Sequence, residues 1–261
     1  MNNQGSQYYT ASEAQAKLGL SKAQFHQKVR QGLIPKVIMP GRKQGMYPRR
    51  DIDALALSMT SQTEAYVFSR STPADQVEEM AIDIRYWGRD FVISLAERIA
   101  FQQKCSFTFH SFKVRDKVVG YVSMFRLPDS FLDALLTGQK IERDITLREV
   151  LPFVRLEPFA IFLDRIVVDS GLSTHLRRLY AGTMIFHFIS VLSYLLANDY
   201  QITHLYAIST TQQVSNLLKR LGFQQMTGKS LVPGRLAFEY TLDDAGLAHL
   251  QALQQEFRHR L

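Results

Sequence analysis

Two helix-start signals, each followed by a glycine where a short helix would end, most strongly constrain the first 32 residues. The segments 10–13 (TASE) and 21–24 (SKAQ) both place a hydroxyl residue three positions before Glu or Gln, which is the pattern of a capping box. Gly19 and Gly32 are placed to end these helices in a left-handed conformation. The spacing predicts two helices of about two turns in a helix-turn-helix arrangement.

The residues after these helices indicate a hairpin and a third helix. The apolar run 37–39 and the pair 46–47 flank a turn at 40–45 (PGRKQG), so we predict a small hairpin, or wing, whose tip carries two cations. Pro48 is positioned to begin a third helix that runs through Ile52 and Leu55. We therefore predict a small N-terminal domain at 1–57.

Positive charge is concentrated in this segment. The chain of 261 residues has a formal charge of +7, of which +6 belongs to residues 1–57 and +1 to the remainder. Basic side chains that neutralise DNA phosphates release counterions, so we predict that the segment binds double-stranded DNA. The alternative is a solvated basic surface on a helical adaptor. The candidate DNA-binding residues are Lys22, Gln24, Gln27, Lys28, Arg42, Lys43, Arg49 and Arg50.

The same segment resembles the MerR/excisionase-type winged helix-turn-helix family over residues 9–55. The matching features are the Tyr-Thr opening, the LGLS turn, the RQGLIP exit, the Arg/Lys wing and YPRRDI before the third helix. The resemblance implies a recognition helix at 21–31, a wing at 41–45 and a homodimer that reads two DNA half-sites. It supplies no effector domain, because the residues that follow resemble neither a cysteine-bearing nor a coiled-coil tail.

A polar stretch without periodicity, residues 58–64 (SMTSQTE), is predicted to link this domain to a larger one at 65–261. The fold class predicted for the chain is α+β, with a central mixed, mostly antiparallel sheet flanked by helices in the larger domain. Its predicted elements, in chain order, are a strand from 66, helices to about 103, strands at 106–114, 117–127 and 159–168, a helix at 176–197, a strand at 203–208, a helix at 212–221, and strands near 224–226 and 236–241.

Two segments lie outside this regular order. Residues 129–158 form an insertion with short helical patterns at 131–136 and 147–154, and it covers either a substrate pocket or a partner surface. Residues 243–261 are predicted to form an amphipathic helix. This helix either docks on its own domain or forms a dimer contact, and the sequence leaves both alternatives open.

The order of elements in 65–242 resembles that of the GNAT acyl-CoA N-acyltransferases. Its best local signals are FSRSTPADQVEEM at 68–80, FLDRIVVDS at 162–170 and SNLLKRLGFQQM at 215–226. The resemblance implies a helix whose N-terminal amides hold the pyrophosphate of acetyl-CoA or another acyl-CoA, and a strand whose exposed backbone binds the acyl carbonyl. The cofactor-binding residues implied by position are Ile166, Val167 and Val168 on the strand and Arg178, Ala181, Gly182 and Thr183 in a pyrophosphate loop.

The resemblance also implies a catalytic role for Asp164, where many members have a carboxylate able to deprotonate the amine. An ion pair or a turn cap is the alternative role for this residue. Two features depart from the family: Gly182 falls between the two small loop positions, and Leu218 stands where the family has a tyrosine that protonates the leaving CoA thiolate. A leucine cannot supply a proton.

These observations predict a DNA-binding transcription regulator whose larger domain binds acyl-CoA and transfers the acyl group to an unknown amine acceptor. Leu218 and the altered loop favour a non-catalytic, ligand-sensing domain as the alternative. A third hypothesis is an excisionase-like architectural factor whose larger domain makes protein contacts.

Composition excludes several other classes of protein. The single Cys105 rules out an internal disulfide framework and a thiolate-clustered zinc site, and the histidines show no metal-ligand spacing, so we expect no metal and a reducing cytoplasmic location. The polar N-terminus predicts no signal peptide. The apolar run 184–197 is shorter than the roughly twenty residues that span a membrane, so we expect a buried helix with His187 packed in the core and no membrane contact.

Overall fold

The computed structural model of the chain describes residues 7–38, 44–62, 66–228 and 230–260. The chain divides into two compact units, one of Met1–Ala65 with Leu172–Leu179 and one of Tyr66–Gly171 with Tyr180–Leu261. We call them the N-terminal unit and the C-terminal unit. The predicted domain bounds, 1–57 and 65–261, stay a prediction.

Short helices and a small antiparallel sheet form the beginning of the N-terminal unit. Both predicted capping boxes are confirmed, because the hydroxyls of Thr10 and Ser21 accept hydrogen bonds from the amides three residues later and the side chains there reach back to the cap amides. Gly19 ends the first helix with φ 62°, in the left-handed conformation predicted. The elements are β1 (Tyr8–Tyr9), α1 (Ala11–Leu18), α2 (Lys22–Arg30), β2 (Val37–Ile38), β3 (Gly45–Pro48) and α3 (Arg49–Gln62), with sheet order β1-β3-β2.

An apolar core joins these elements. Phe25 of α2 is buried and lies edge-on to Tyr47 of β3, with ring centroids 5.1 Å apart. The other buried side chains are Ala14, Leu18, Ile34 and Ile52.

The third helix is longer than predicted. Residues 58–62, which we predicted to begin the linker, are the last part of α3, and residues 63–64 lie outside the described residues. Extending a helix that has already formed costs little per residue, so a polar sequence without apolar periodicity is able to continue it.

A seven-stranded mixed sheet forms the centre of the C-terminal unit. Every neighbouring pair is antiparallel except β7 and β8, which confirms the mixed, mostly antiparallel sheet predicted. In the order β4-β5-β6-β7-β8-β10-β9, the strands are β4 (Tyr66–Arg70), β5 (Phe109–Val114), β6 (Lys117–Phe125), β7 (Pro158–Val168), β8 (Gln201–Ser209), β10 (Leu236–Thr241) and β9 (Gln224–Gln225).

Six helices accompany this sheet in the described residues: α4 (Pro73–Trp87), α5 (Leu95–Lys104), α6 (Asp129–Leu136), α7 (Thr174–Ala197), α8 (Gln212–Arg220) and α9 (Asp244–Arg260). The predicted helix at 147–154 is wrong, because residues 147–149 form only a turn. Glu149 caps this turn through Thr146, but Pro152 follows too soon for a helix to develop.

The helices α5 and α7 contact opposite faces of the sheet. Arg98 of α5 lies over Phe109, whereas Tyr180 of α7 packs on Phe112, and residues three apart on a strand point to opposite faces. His187 of α7 stacks on a phenyl ring of β4 with centroids 5.4 Å apart, and burial lowers the pKa of its imidazole. His187 is half-buried against aromatic rings, so the predicted packing is observed but the residue is not fully in the core.

The helix α7 is apolar on most sides. By length and composition alone it would pass as a membrane span, with a mean hydropathy of 1.6 over an 18-residue window. The core helix of a globular unit passes the same test, and the following α7 side chains are buried: Tyr180, Thr183, Met184, Ile185, Phe188, Ile189, Leu192 and Leu195.

The C-terminal helix α9 packs on α7 of its own unit. The side-chain amide of Gln254 donates to Ser190 Oγ at 2.9 Å, and Leu250 and Leu253 are buried. A methyl group placed on Gly182 would lie 3.8 Å from the ring of Phe257. Of the two alternatives left open by the sequence, docking on its own domain is therefore observed.

Candidate functional site

The strand β7 contains a bulge at Asp164 and leaves β8 at the same point. On the β6 side, Ser123 pairs with Arg165 while the next residue of β6 pairs with Leu163, so Asp164 is an extra residue in β7. On the other side, parallel pairing with β8 ends at Leu163 opposite Ala207. No described strand pairs with residues 164–168 along that edge of β7.

The predicted carbonyl-binding residues Ile166, Val167 and Val168 lie on the part of β7 that does not pair with β8. The carbonyl of Val168 accepts a hydrogen bond from the hydroxyl of Tyr86 at 2.8 Å. Their role in binding a thioester stays a prediction.

The two oxygens of the Asp164 carboxylate differ in their partners. Oδ2 accepts a hydrogen bond from Ser123 Oγ at 2.8 Å and lies 3.3 Å from Nε of Arg165. Oδ1 is buried and has no hydrogen-bond partner among the described residues. Burial raises the pKa of Asp164 above its ordinary value, and the Arg165 guanidinium opposes this only in part. The bulge therefore presents a carboxyl group with raised proton affinity.

The next residue, Arg165, links the bulge to α4. Its guanidinium lies 3.0 Å from Oδ2 of Asp83 and 4.4 Å from the ring centroid of Trp87. Asp83 is fully buried and also accepts a hydrogen bond from the hydroxyl of Tyr121. Burial raises the pKa of that hydroxyl above its ordinary value, so Tyr121 remains a donor to the carboxylate.

Arg98 lies at the centre of the same interactions. Its guanidinium, 1% exposed, is placed 4.4 Å from the ring centroid of Phe109 and 5.0 Å from that of Tyr121. It donates to Glu79 at 2.6 Å and to Asp83 at 2.9 Å. We call Glu79, Asp83, Arg98, Tyr121 and Arg165 the buried charge cluster.

The predicted site residues include no member of this cluster. A signal was present, since Gln76, Glu79 and Asp83 occupy one helical face at spacings of three and four, and all three are buried. When polar residues take the positions of the buried helix face, they indicate a buried polar network. Burying a charge is costly unless it is paired with an opposite charge or hydrogen-bonded.

A small cavity lies beside Asp164. It encloses about 20 Å³, enough for about one water molecule, and its lining combines charged and aromatic side chains. The lining residues are Phe91, Ile93, Arg98, Phe101, Phe109, Phe125, Glu142, Arg143, Ile145, Asp164 and Arg165. Glu142, Arg143 and Ile145 belong to the predicted insertion 129–158, which therefore contributes to the wall of this cavity.

The segment 178–183, predicted to form a pyrophosphate loop, is helical, and its role in binding a pyrophosphate stays a prediction. Arg178, Ala181, Gly182 and Thr183 all lie inside α7, which begins at Thr174, and amides beyond the first turn of a helix bond to helix carbonyls. Gly182 faces Phe257 of α9 at van der Waals distance, so its small size serves helix packing. The small residues at 181–183 resemble those of a phosphate-binding loop, although they are part of a helix. The turn that connects β7 to α7 consists of residues 169–173.

The position where the resemblance implies a proton donor to the CoA thiolate holds no ionisable side chain. Leu218 is buried in α8, and Thr211 caps that helix by accepting a hydrogen bond from the amide of Val214 at 3.2 Å. Both residues therefore have structural roles in α8.

The structure places four of the predicted DNA-binding residues on α2. Lys22 and Gln27 are exposed, and Lys28 is half-buried. Gln24 is exposed too, but its side-chain oxygen accepts hydrogen bonds from the amide and hydroxyl of Ser21 at 3.1 and 2.9 Å. Gln24 therefore completes the predicted capping box, and its role in DNA binding stays a prediction.

The other predicted DNA-binding residues flank the hairpin. Arg49 and Arg50 are exposed at the start of α3, and the Arg49 guanidinium lies 4.5 Å from the ring centroid of Tyr9. Both arginines line an open groove of about 360 Å³ together with Gln7, Tyr8 and Pro48. Arg42 and Lys43, at the predicted wing tip, lie outside the described residues, as does most of the predicted wing 41–45.

Among the described residues there is no group of three or more His, Cys, Asp or Glu side chains arranged to hold a metal ion. Cys105 is a buried free thiol.

Comparison with known proteins gives similarity only to solved structures. No family model matches the chain, and no curated protein matches it. The chain is similar to FeeM, an N-acyl amino acid synthase from uncultured soil microbes (TM-score 0.49, 14% identity, covering 74% of this chain and 96% of that one). It is also similar to the loading GNATL domain of CurA from Lyngbya majuscula (TM-score 0.44, 12% identity, 68% and 98% covered). A third similar structure is an N-acetyltransferase from Staphylococcus aureus (TM-score 0.43, 13% identity, 69% and 99% covered).

Proposed function

We propose that the C-terminal unit is a GNAT-like acyltransferase that transfers the acyl group of an acyl-CoA to an amine. The observation that carries the proposal is Asp164, a buried carboxylate whose Oδ1 has no hydrogen-bond partner among the described residues, at the bulge where β7 leaves β8. A base beside strand backbone that no other strand pairs with is what acyl transfer to an amine requires.

In the proposed reaction, backbone amides of residues 166–168 polarise the thioester carbonyl while the amine nitrogen attacks the carbonyl carbon. Asp164 Oδ1 accepts a proton from the nitrogen, and Ser123 holds the other oxygen. The C–S bond then breaks, and CoA leaves as a thiolate that takes a proton. The raised pKa of Asp164 makes it a stronger base than an exposed aspartate.

The test of this proposal uses the full chain. Calorimetry with acetyl-CoA and longer acyl-CoAs measures binding, and a thiol-release assay across a panel of amines measures turnover. We expect saturable acyl-CoA binding and thiol release that depends on the amine. No binding of any acyl-CoA would contradict both an acyltransferase and an acyl-CoA sensor.

The sensor is a second candidate, favoured by one observation. The position implied for the thiolate acid holds the buried Leu218, which has no proton to give. In this alternative the unit binds acyl-CoA as an effector without turnover. Binding without thiol release in the assays above would support it over the acyltransferase.

For the N-terminal unit we propose double-stranded DNA as the partner, with a winged helix-turn-helix mode of binding and a homodimer as the active form. Support comes from the exposed Lys22 and Gln27 on α2, the exposed Arg49 and Arg50, and the charge of +6 within residues 1–57. Cations on an exposed helix face match the negative charge of a DNA groove. Light scattering with and without DNA tests the dimer, and a monomer in both samples would contradict it.

A further inference from the structure

The end of β7 carries a further inference, which concerns the leaving thiolate and rests on the acyltransferase function proposed above. A thiol has a pKa of about 8.5, so a thiolate released near neutral pH takes up a proton. Leu218 has none to give. A proton donor elsewhere in the C-terminal unit, close to residues 166–168, would complete the proposed reaction.

The hydrogen bonds of β7 determine which of its backbone groups point away from β6. The amide of Asp169 donates to the carbonyl of Val119, on β6, at 2.9 Å. In an antiparallel pair, the N–H and C=O groups of successive residues point alternately towards the partner strand and away from it. Those of Val167 therefore point to β6, and those of Val168 point to the side where β8 no longer pairs.

The hydroxyl of Tyr86, near the end of α4, lies on this side of β7. It donates to the carbonyl of Val168 at 2.8 Å, and Tyr86 is 42% exposed. Two further contacts fix its position: the neighbouring Arg85 pairs with Asp169 at 2.8 Å, and the ring of Tyr86 lies 5.3 Å from that of Trp87. A phenol is therefore held against one of the residues proposed to polarise the thioester carbonyl.

We infer that Tyr86 is the catalytic acid that protonates the sulfur of CoA. The N–H and C=O groups of Val168 point to the same side, so a thioester oxygen bonded to this amide brings the adjacent sulfur near the phenol.

The proton transfers of the reaction balance as follows. The uncharged amine bonds to the acyl carbon and loses one proton to the base, which returns it to solvent. As the C–S bond breaks with its electron pair on sulfur, the hydroxyl of Tyr86 turns from the Val168 carbonyl and gives its proton to the sulfur. The phenolate regains a proton from water, and the products are an amide and the CoA thiol.

The experiment compares the full-length wild type with Tyr86→Phe, which removes only the hydroxyl, and with Tyr194→Phe. Tyr194 is the matched control because it is a similarly exposed tyrosine (52%) on another helix, α7, of the same unit. Single-turnover thiol release is followed from neutral to alkaline pH, with the acyl-CoA and the amine that the wild type turns over fastest. Titration calorimetry measures acyl-CoA binding, and scanning calorimetry measures Tm.

We expect Tyr86→Phe to slow thiol release about 100-fold at neutral pH, as the loss of a general acid gives, with acyl-CoA affinity and Tm unchanged. The difference from wild type should shrink at alkaline pH, where the phenol loses its proton and a thiolate leaves without one. Tyr194→Phe should match the wild type throughout.

Equal rates for Tyr86→Phe and wild type would overturn the inference and leave acyl transfer standing. The same applies to a loss of rate that is equal at every pH and accompanied by weaker acyl-CoA binding, since the hydroxyl would then serve only the structure. The absence of thiol release by the wild type with every amine would overturn acyl transfer and, with it, the inference.

Discussion

At the scale of single residues, Asp164 combines two features that rarely occur together in one carboxylate. Its Oδ2 is held by Ser123 and Arg165, whereas its Oδ1 is buried without a partner among the described residues. A buried carboxylate with one unpartnered oxygen destabilises the folded state. Its charged form loses its hydration on folding, and hydrogen bonds within the protein replace only part of that hydration. Such a cost is expected at a functional site and not at a purely structural one.

This cost gives a pH-dependent prediction for Asp164→Asn. Because the folded-state pKa of Asp164 is raised, the group contributes stability below its unfolded pKa of about 3.9 and loses that contribution as pH rises through the folded pKa. We therefore expect Asp164→Asn to raise Tm relative to wild type at pH 7, and the difference to shrink as the pH approaches about 4. Differential scanning calorimetry of both proteins across pH measures this; a difference that grows towards acid pH would contradict it.

The buried charge cluster gives a second prediction. Removing the guanidinium in Arg98→Ala leaves Glu79 buried without a cation and Asp83 with Arg165 alone, so we expect a loss of about 3–5 kcal/mol in the free energy of unfolding. The single tryptophan, Trp87, reports unfolding of the C-terminal unit by its fluorescence in urea. As a control, Arg148→Ala at an exposed position should stay within about 0.5 kcal/mol of wild type. Equal effects of the two substitutions would show that the cluster is not held by Arg98.

At the scale of elements, the predictions are correct where local signals mark the start or end of a helix. The capping boxes and Gly19 fixed α1 and α2 correctly, because these signals are local and act through the backbone. The predicted start of α7, residue 176, lies two residues from the observed Thr174, whereas the small residues 181–183 resemble a phosphate loop although they lie within the helix. A close-packing glycine and a loop glycine look alike in sequence, and only the position of Phe257 separates them.

The turn between α1 and α2 gives a third prediction. Gly19 has φ 62° and no atom within 4 Å of a Cβ placed on it, so Gly19→Ala changes backbone strain without a steric clash. We expect a loss of about 1 kcal/mol of stability, seen as roughly fivefold faster hydrogen exchange of α1 and α2 amides by mass spectrometry. Gly228→Ala, at a site without positive φ and equally free of neighbours, should leave that exchange unchanged. Unchanged hydrogen exchange in Gly19→Ala would contradict the claim that an alanine at this φ strains the backbone.

At the scale of the whole molecule, the order of strands and helices was predictable, whereas the candidate site was only partly so. Alternation and apolar runs gave β4 to β8 and α7, since these signals reflect burial on a sheet. Asp164 was found through the resemblance. The partners of Arg98 could not be predicted, because they lie 15 and 19 residues away in the sequence, on another helix, and a single sequence does not show such pairings.

The uneven charge of the chain gives a fourth prediction. If the N-terminal unit binds DNA through Lys22, then Lys22→Ala should weaken binding and reduce the slope of log K against log salt by about 1. Fluorescence anisotropy with a labelled duplex between 50 and 300 mM salt measures this slope. The exposed Lys140 of the C-terminal unit serves as the control, and Lys140→Ala should keep the wild-type slope. The same slope in both variants would mean that α2 does not contact phosphates.

The central claim, that Asp164 is the base of an acyl transfer, is tested most directly by thiol release from acyl-CoA in the presence of an amine. We predict that Asp164→Asn lowers kcat/KM at least 100-fold, within the range of roughly 10²- to 10⁴-fold expected for loss of a general base. The exposed turn variant Asp116→Asn should retain wild-type kcat/KM. Equal kcat/KM for Asp164→Asn and wild type would contradict the claim.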